Sequence, residues 1–490
     1  MMRIYIRGAA LSALLALTAC QTAPVAYQKP ALEAPAVWHA APDAPSKVAA
    51  RSDWWTDWHD PVADQLMSAA LAQNLDVKVA MARVDEARSL SKINDVRYKP
   101  SLYLNGSGAV TAGQKAMGGL NDGDARLGAG VGGNWDIDLY GLQKLESQLG
   151  QAGLNAADAQ YRGAINSLLG EVAIAYIDLR EQQRIYALLQ KNIELQSETL
   201  RVVKIQTAAG AGVQLDVLRA SAQVETTRSQ LPSVRAAIQI DCNRIAVLLG
   251  EAPGARDALL MPDRDMPVFV TDTALKTPAE VIANRPDVQN AEYQLEQQGL
   301  AKSISTADLF PKISLSGFFG LSSSSLFGSS APLNLAANLS RPLLDYDRIH
   351  NQIDAQSARQ EQAFLSYKQT VLLAVEDVER SLVVYGEEQQ RLTTLDNTST
   401  IQAEAARQAR LKFQAGYATF LDVLIAEQQL LDAQLSAVQS RARLTSAGVN
   451  LYTALGASVA DMPRTMASSE KAPSEKAPNE KAKASRLASQ

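Results

Sequence analysis

Two aspartates stand six residues beyond glycines that share the same surroundings. Asp216 follows Gly210 in Ala209-Gly210 and Leu215-Asp216-Val217-Leu218. Asp422 follows Gly416 in Ala415-Gly416 and Leu421-Asp422-Val423-Leu424. A carboxylate just past a glycine turn can act as an N-cap, accepting the orphan N–H groups that open a helix. Other chemistry-bearing residues are scattered. His39, His59 and His350 are far apart and lack metal-ligand spacing. Gly128 to Gly133 fits G-x-G-x-x-G, but strand-like Asn134-Trp135-Asp136-Ile137 follows where a dinucleotide site needs a helix. Glu171, Asp178, Glu376 and Asp377 lie in helix-like sequence with no Ser, His or Lys constellation, and read as helix-surface or lumen charges. Cys242 sits mid-helix and reads as a small buried residue. There is no P-loop. Catalysis, a metal and a cofactor are therefore not expected.

The other cysteine, Cys20, closes a targeting segment. Arg3 and Arg7 supply positive charge, Ala9 to Leu17 is an apolar stretch too short to span a bilayer, and Leu17-Thr18-Ala19-Cys20 resembles the bacterial lipoprotein box. Lipid attachment at Cys20 follows, after removal of residues 1–19. Gln21 stands where inner-membrane retention would use Asp, so outer-membrane sorting is expected. No later stretch has the run of apolar residues that a membrane helix requires. A membrane-spanning part would have to be a closed β-barrel.

The 490 residues are 47% apolar and 20% charged, with a net charge of −5. That balance affords a large core and argues against a nucleic-acid partner, which calls for a basic face.

The elements that must position the two aspartates come in a tandem repeat. Besides the two glycine passages, Val172 pairs with Val378, Gln183 with Gln389, Arg235 with Arg441 and Leu249-Gly250 with Leu455-Gly456, all 206 positions apart. Upstream, Asp76-Val77 pairs with Asp287-Val288 and Pro100 with Pro311, 211 positions apart. The slip falls in a Gly-rich region where a hairpin loop can vary. The division is residues 20–50 as a lipidated Ala/Pro-rich tether, 51–250 as repeat one, 251–276 as a linker, 277–456 as repeat two, and 457–490 as a polar low-complexity tail.

Each repeat opens with a helix, Gln65 to Val96 or Pro278 to Leu309, stopped by a proline. A strand-period stretch follows. Ile313, Leu315 and Phe319 take one face and serines the other, as Leu102 and Leu104 alternate with Tyr103 and Asn105. Gly- and Ser-rich turns at 113–123 and 322–330 lead back through 135–140 and 339–346, one hairpin per repeat. A very long helical tract comes next. Leu142 to Ala208 holds no proline, and Leu372, Val375, Val378, Leu382, Tyr385, Leu392 and Leu395 step like a coiled-coil seam. About 65 residues make on the order of 100 Å of helix. The Ala-Gly pair then turns the chain into a helical hairpin. Four strands cannot close a barrel and leave open edges, so the chain needs copies of itself; three would supply twelve strands.

These residues resemble the outer-membrane efflux channel family, the TolC-like and NodT-like lipoproteins, over about residues 50–456. The passages are Trp54-Trp55 with Asp60-Pro61, Ala70 to Asp76, Ala82 to Arg88, Trp135 to Gly141, Arg285-Pro286-Asp287-Val288 and Phe310-Pro311-Lys312-Ile313. The resemblance implies an α+β membrane protein, a homotrimer with a twelve-stranded outer-membrane barrel and a periplasmic barrel of long helices. It implies docking through a periplasmic adaptor to an inner-membrane pump of the resistance-nodulation-division type. By the same match Gly210 and Gly416 mark the adaptor-contact tips, and Asp216 and Asp422 the pore gate. This sequence departs from some relatives in having Ile425 for a second aperture acid and Ala418 for a gate-locking arginine. In a trimer, three Asp422 carboxylates around a narrow axis would repel one another and attract cations.

The function implied is a passive duct for drugs or other small molecules. A duct for type I protein secretion shares the architecture. A trimeric structural or adhesin lipoprotein would need no alternating strands.

Overall fold

The computed structural model describes residues 31, 34–40, 53–111, 124–268, 277–324 and 328–456. Cys20, the signal segment, the first hairpin loop and the C-terminal tail lie outside the described residues. By its contacts the chain divides into two units. One holds Ala80–Gly163 and Pro278–Glu376 with the described residues up to Ala36; the other holds Val37–Val79, Ala164–Thr277 and Asp377 onward.

The opening helix of each repeat is broken at one equivalent residue. In repeat one, α1 (Pro61–Gln73) and α2 (Leu75–Asn94) meet at Asn74. Its amide donates to the Leu248 carbonyl at 2.8 Å and its oxygen accepts from the Val77 N–H at 2.9 Å, recapping the chain. The single helix expected over Gln65–Val96 is thus two. Repeat two breaks 211 positions later, at Arg285. There Pro286 cannot donate, and a short helix (Pro278–Asn284) gives way to a longer one (Pro286–Thr306).

The first unit contains an antiparallel sheet. Strand β1 (Ser101–Thr111) pairs with β2 (Asp124–Ile137), and β2 pairs with β3 (Lys312–Ser324), joining the two repeats' hairpins edge to edge. The return limb is divided into β4 (Gly328–Ser330) and β5 (Leu333–Ser340), both paired with β3. The division falls at Pro332, which has no N–H to give; its carbonyl accepts from Gly320 at 3.2 Å instead. This return strand runs earlier than the 339–346 expected from sequence, and β2 ends at Ile137 rather than Tyr140.

Both long tracts are single helices. α3 (Leu142–Ala208) has 67 residues and α4 (Gln214–Leu248) has 35. A four-residue helix α5 (Asp257–Leu260) lies in the inter-repeat segment. With the two helices about Arg285 numbered α6 and α7, repeat two continues with α8 (Tyr346–Gln414), 69 residues, and α9 (Phe420–Ala454), 35 residues. Asp138 starts α3, its carboxylate accepting from the N–H groups of Leu142 at 2.8 Å and Gln143 at 2.9 Å.

Cores are small and local. In the first unit Leu142, Leu145 and Ala152 pack on Leu300 and Ala307, and Ile282, Val288 and Leu295 pack on Tyr367, Val371 and Ala374 of α8. The buried stripe of α8 is therefore Tyr367, Val371, Ala374 and Val378, while Leu372, expected in the seam, is 68% exposed. Apolar residues at both 371 and 372 make two stripes, and one neighbour within the chain can bury only one.

The second unit packs around a group of tryptophans. Trp54, Trp55 and Trp58 are buried, with Trp54 against Tyr452 at 5.8 Å. Beside them Arg180 of α3 is wholly buried. It donates to the carbonyl of Pro262 at 2.9 Å and to Gln183 at 2.5 Å, lies over the Tyr176 ring, and donates to the Tyr176 hydroxyl at 3.1 Å. Tyr176 in turn donates to Asp60, the cap of α1. The segment after α5 is thus stapled to α3 through one guanidinium.

Candidate functional site: the sheet faces and the hairpin tips

Register decides what each face of the sheet carries. Directly opposed residues share a face. Leu104 opposes Val131, Val131 opposes Phe319, and Phe319 opposes Leu333. Leu102, Leu127, Leu321, Leu335 and Leu339 lie on the same face, and these five leucines are 66–81% exposed. The other face carries Asn105, Ser107, Asn134, Ser314, Ser316, Asn334 and Asn338. An exposed apolar face backed by a polar one is the pattern of a strand set between lipid and water.

In the glycine run that imitates a dinucleotide motif, Gly128, Gly130 and Gly132 belong to the polar face and Gly133 opposes Leu102 on the apolar one. Gly130 lies under the Phe318 ring and Gly132 under the Tyr103 ring, so close that an added Cβ would overlap both. Glycine is required there because aromatic side chains lie flat across the strand.

The tips of the helical hairpins match atom for atom at their first turns. Gly210 has φ +77° and Gly416 φ +79°. Behind Gly210, Ala211 N–H donates to Gln206 O at 2.8 Å and Gly210 N–H to Thr207 O at 3.1 Å; the counterparts are Tyr417 to Lys412 at 2.8 Å and Gly416 to Phe413 at 3.0 Å. Both are Schellman endings, which need a residue that tolerates positive φ.

The two aspartates then diverge. Neither is the N-cap; each is the third residue of its helix. Thr419 caps α9, and Asp422 answers it. The Thr419 N–H and hydroxyl donate to the Asp422 carboxylate at 2.8 and 2.7 Å, while Asp422 N–H donates to the Thr419 hydroxyl at 3.3 Å. These bonds hold the Asp422 carboxyl below the usual range. In repeat one the cap position is Val213, whose apolar side chain cannot accept a hydrogen bond, and Asp216 instead faces Arg219 at 3.7 Å. Around the turns Leu215, Leu218, Tyr417, Leu421 and Ile425 remain exposed, Tyr417 at 86%. The sequence signal for Tyr417 is its place directly after the turn glycine.

Above the tips, Glu427 is buried between Arg410 at 3.5 Å and Thr199 at 3.2 Å, and burial raises its pKa against both. Asp178, read from the sequence as a helix-surface or lumen charge, has a partner. It is half-buried, pairs with Arg244 at 3.6 Å, and burial raises its pKa. Cys242 is buried as expected, its thiol pushed up to about 11 by burial. Among the described residues no three His, Cys, Asp or Glu side chains gather as a metal site. No described helix is long and apolar enough to cross a membrane.

A tandem β-hairpin and helical-hairpin protomer with an apolar sheet face defines an outer-membrane channel subunit. The description "Outer membrane efflux protein" matches residues 66–251 and 277–457, and the chain belongs to that family. It is 31% identical over 405 residues to nodulation protein T of Rhizobium leguminosarum bv. trifolii, covering 80% of this chain and 85% of that protein. It is 30% identical over 465 residues to the pyoverdine export outer membrane protein OpmQ of Pseudomonas aeruginosa, covering 91% and 95%. Among solved structures, the outer-membrane channel OprN superposes with a TM-score of 0.82 at 30% identity, covering 90% of this chain and 99% of that one. The chain is thus an outer-membrane efflux channel, not a member of an enzyme family. It acts as a homotrimer extending into the periplasm, with a periplasmic adaptor and an inner-membrane pump. The second apolar stripe of α8 and the open edges of β1 and β5 are surfaces that copies of the chain can cover.

Proposed function

We propose that this channel passes small molecules, drugs among them, without selecting them, and that its helical tips carry both gate and adaptor contact. The observation that supports this is the polar sheet face, where rows of Ser, Asn and Gly run between the strand ends, the Tyr103 and Phe318 rings lie flat against Gly132 and Gly130, and the charges of Arg126, Asp136 and Lys312 stand towards the strand ends. OpmQ, named for export of pyoverdine, is a relative with a small-molecule cargo. Asp422 is the gate residue, because it is exposed at the turn and its engaged oxygen leaves the other free to face an axis. Asp216, balanced by Arg219, is the weaker contributor. Gly210 and Gly416 present the tips to the adaptor. Cys20 carries the lipid, and the division into a signal 1–19, tether 20–50, repeats 51–250 and 277–456, linker 251–276 and tail 457–490 follows from these roles.

The test is a deletion strain with and without the restored gene, challenged with unrelated antibiotics, dyes, detergents and metals. Sensitisation to several classes is expected. Unchanged susceptibility with loss of a secreted protein would transfer the duct to protein secretion. For the gate, Asp422→Ala in planar bilayers should change conductance and weaken block by multivalent cations; unchanged values remove Asp422 from the pore.

A further inference from the structure

The segment read as a plain spacer carries a fastening. Trp38 is 3% exposed, although Ala, Pro and Val residues surround it in sequence. Directly after it, the N–H groups of His39 and Ala40 donate to the two carboxylate oxygens of Glu379 at 2.6 and 2.8 Å. One carboxylate gripping two successive backbone amides is a charge-assisted, bidentate contact that reads backbone rather than side chain. Glu379 belongs to α8, the long helix that follows β5. No other side chain of the segment is needed to make the grip, so it resembles a cleat holding a cord.

We infer that Glu379 is a positioning residue for the N-terminal strap, fixing the length of the leash between the body and a lipid on Cys20. The inference rests on the lipidation proposed above. Its basis is reach. From Cys20 to His39 the chain spans on the order of 65 Å at full extension. From Tyr346, at the sheet end of α8, to Glu379 the helix rises about 50 Å. A leash fastened at Glu379 therefore has little slack if its lipid sits at the membrane level of the sheet. Fastened there, the lipid also draws the helices toward the bilayer at a set depth before the strands insert. A leash fastened only at Asp53, the next described residue, would be far too long to do this.

Two experiments on the full-length protein test it. Hydrogen exchange on the purified trimer reads the clamp. The His39 and Ala40 amides should be protected, and Glu379→Ala should make them exchange about tenfold or more faster, with Glu379→Gln intermediate because it keeps one acceptor. Unprotected amides in the unaltered protein overturn the clamp. The second reads the leash, as detergent-resistant trimer in the outer membrane. Deleting residues 22–29 should lower trimer yield severalfold, and adding Glu379→Ala should restore it by freeing the strap. Full yield for the deletion alone, or no restoration by the added Glu379→Ala, would each overturn the leash. The mass of the mature N-terminus separates these outcomes from failure of lipidation: without acyl groups on Cys20 the anchor reading falls, while the exchange result still reports the clamp.

Discussion

Thr419 and Asp422 hold each other by their side chains across the first turn of α9, each giving and receiving, while their counterparts Val213 and Asp216 share only a backbone bond, from the Asp216 N–H to the Val213 carbonyl at 3.0 Å. The two hairpin tips share a backbone and differ in how their helices begin. Thr419→Val should therefore cost about 1 kcal/mol of local stability. Arg219→Ala, at an exposed ion pair, should cost no more than a few tenths. Hydrogen exchange over residues 414–425 and 209–220 checks the contrast; equal losses at both tips would remove the cap's importance.

The turn glycines make a second, symmetric prediction. No atom lies within 4 Å of a Cβ built at Gly210 or Gly416, so steric collision plays no part. Gly210→Ala and Gly416→Ala should each cost about 1 kcal/mol through positive φ alone. Asn, which tolerates that conformation, should recover part of the loss. Thermal unfolding of the purified trimer measures it.

Arg180 is the residue whose loss should be felt most. Arg180→Met leaves the carbonyls of Leu260 and Pro262, the Gln183 amide oxygen and the Asp60–Tyr176 pair without their cation. A loss of about 3 kcal/mol is expected. Tyr176→Phe should lose about 1 kcal/mol. If Arg180→Met unfolds at the temperature of the unaltered protein, the staple is ornamental.

A half-buried acid predicts a pH effect. Burial, the nearby Asp178 and Asp241 raise Glu181 to about 7, against the pull of Arg443; burial and Asp178 likewise raise Asp241 to about 6, against Arg244. An acid whose folded pKa is raised binds its proton more tightly when folded. Stability is therefore unaffected below the unfolded pKa near 4.5 and falls as pH climbs toward 7. Glu181→Gln should stabilise the protein at pH 8 by up to about 2 kcal/mol, after allowance for solvent screening, and make little difference at pH 4. Denaturation midpoints at the two pH values decide it; equal gains at both would assign the effect to packing.

The sheet faces predict opposite tolerance to charge. Leu104→Arg should cost about 2–4 kcal/mol if its row meets the bilayer interior. Asn105→Arg, one residue away on the polar face, should assemble normally. Trimer yield from outer membranes compares them.

Much of this architecture is legible in periodicity. Alternation in Ile313, Leu315 and Phe319 names the apolar face of β3, and the absence of proline from Leu142 to Ala208 matches α3 end to end. Interruptions made by side chains are harder to read. Asn74 breaks a helix only because it can recap the next one and reach Leu248, and Arg285 does so because Pro286 follows. Pairings between distant segments carry no local sign. Nothing near Arg180 in sequence points to Pro262, and nothing near Glu379 points to His39. The tip aspartates sit between these extremes, since their position is visible but the partner each chooses depends on residues three places away.

The 206-position spacing has a mechanical side. It persists from Val172 to Gly456 across helices of 67, 35, 69 and 35 residues. One residue added to α3 alone would turn everything beyond it by about 100° and displace its tip by about 1.5 Å. The face that packs would become a face that does not. The length of this duct is thus a duplicated ruler, and a longer or shorter one could be reached only by marking both copies alike, in steps that restore whole turns.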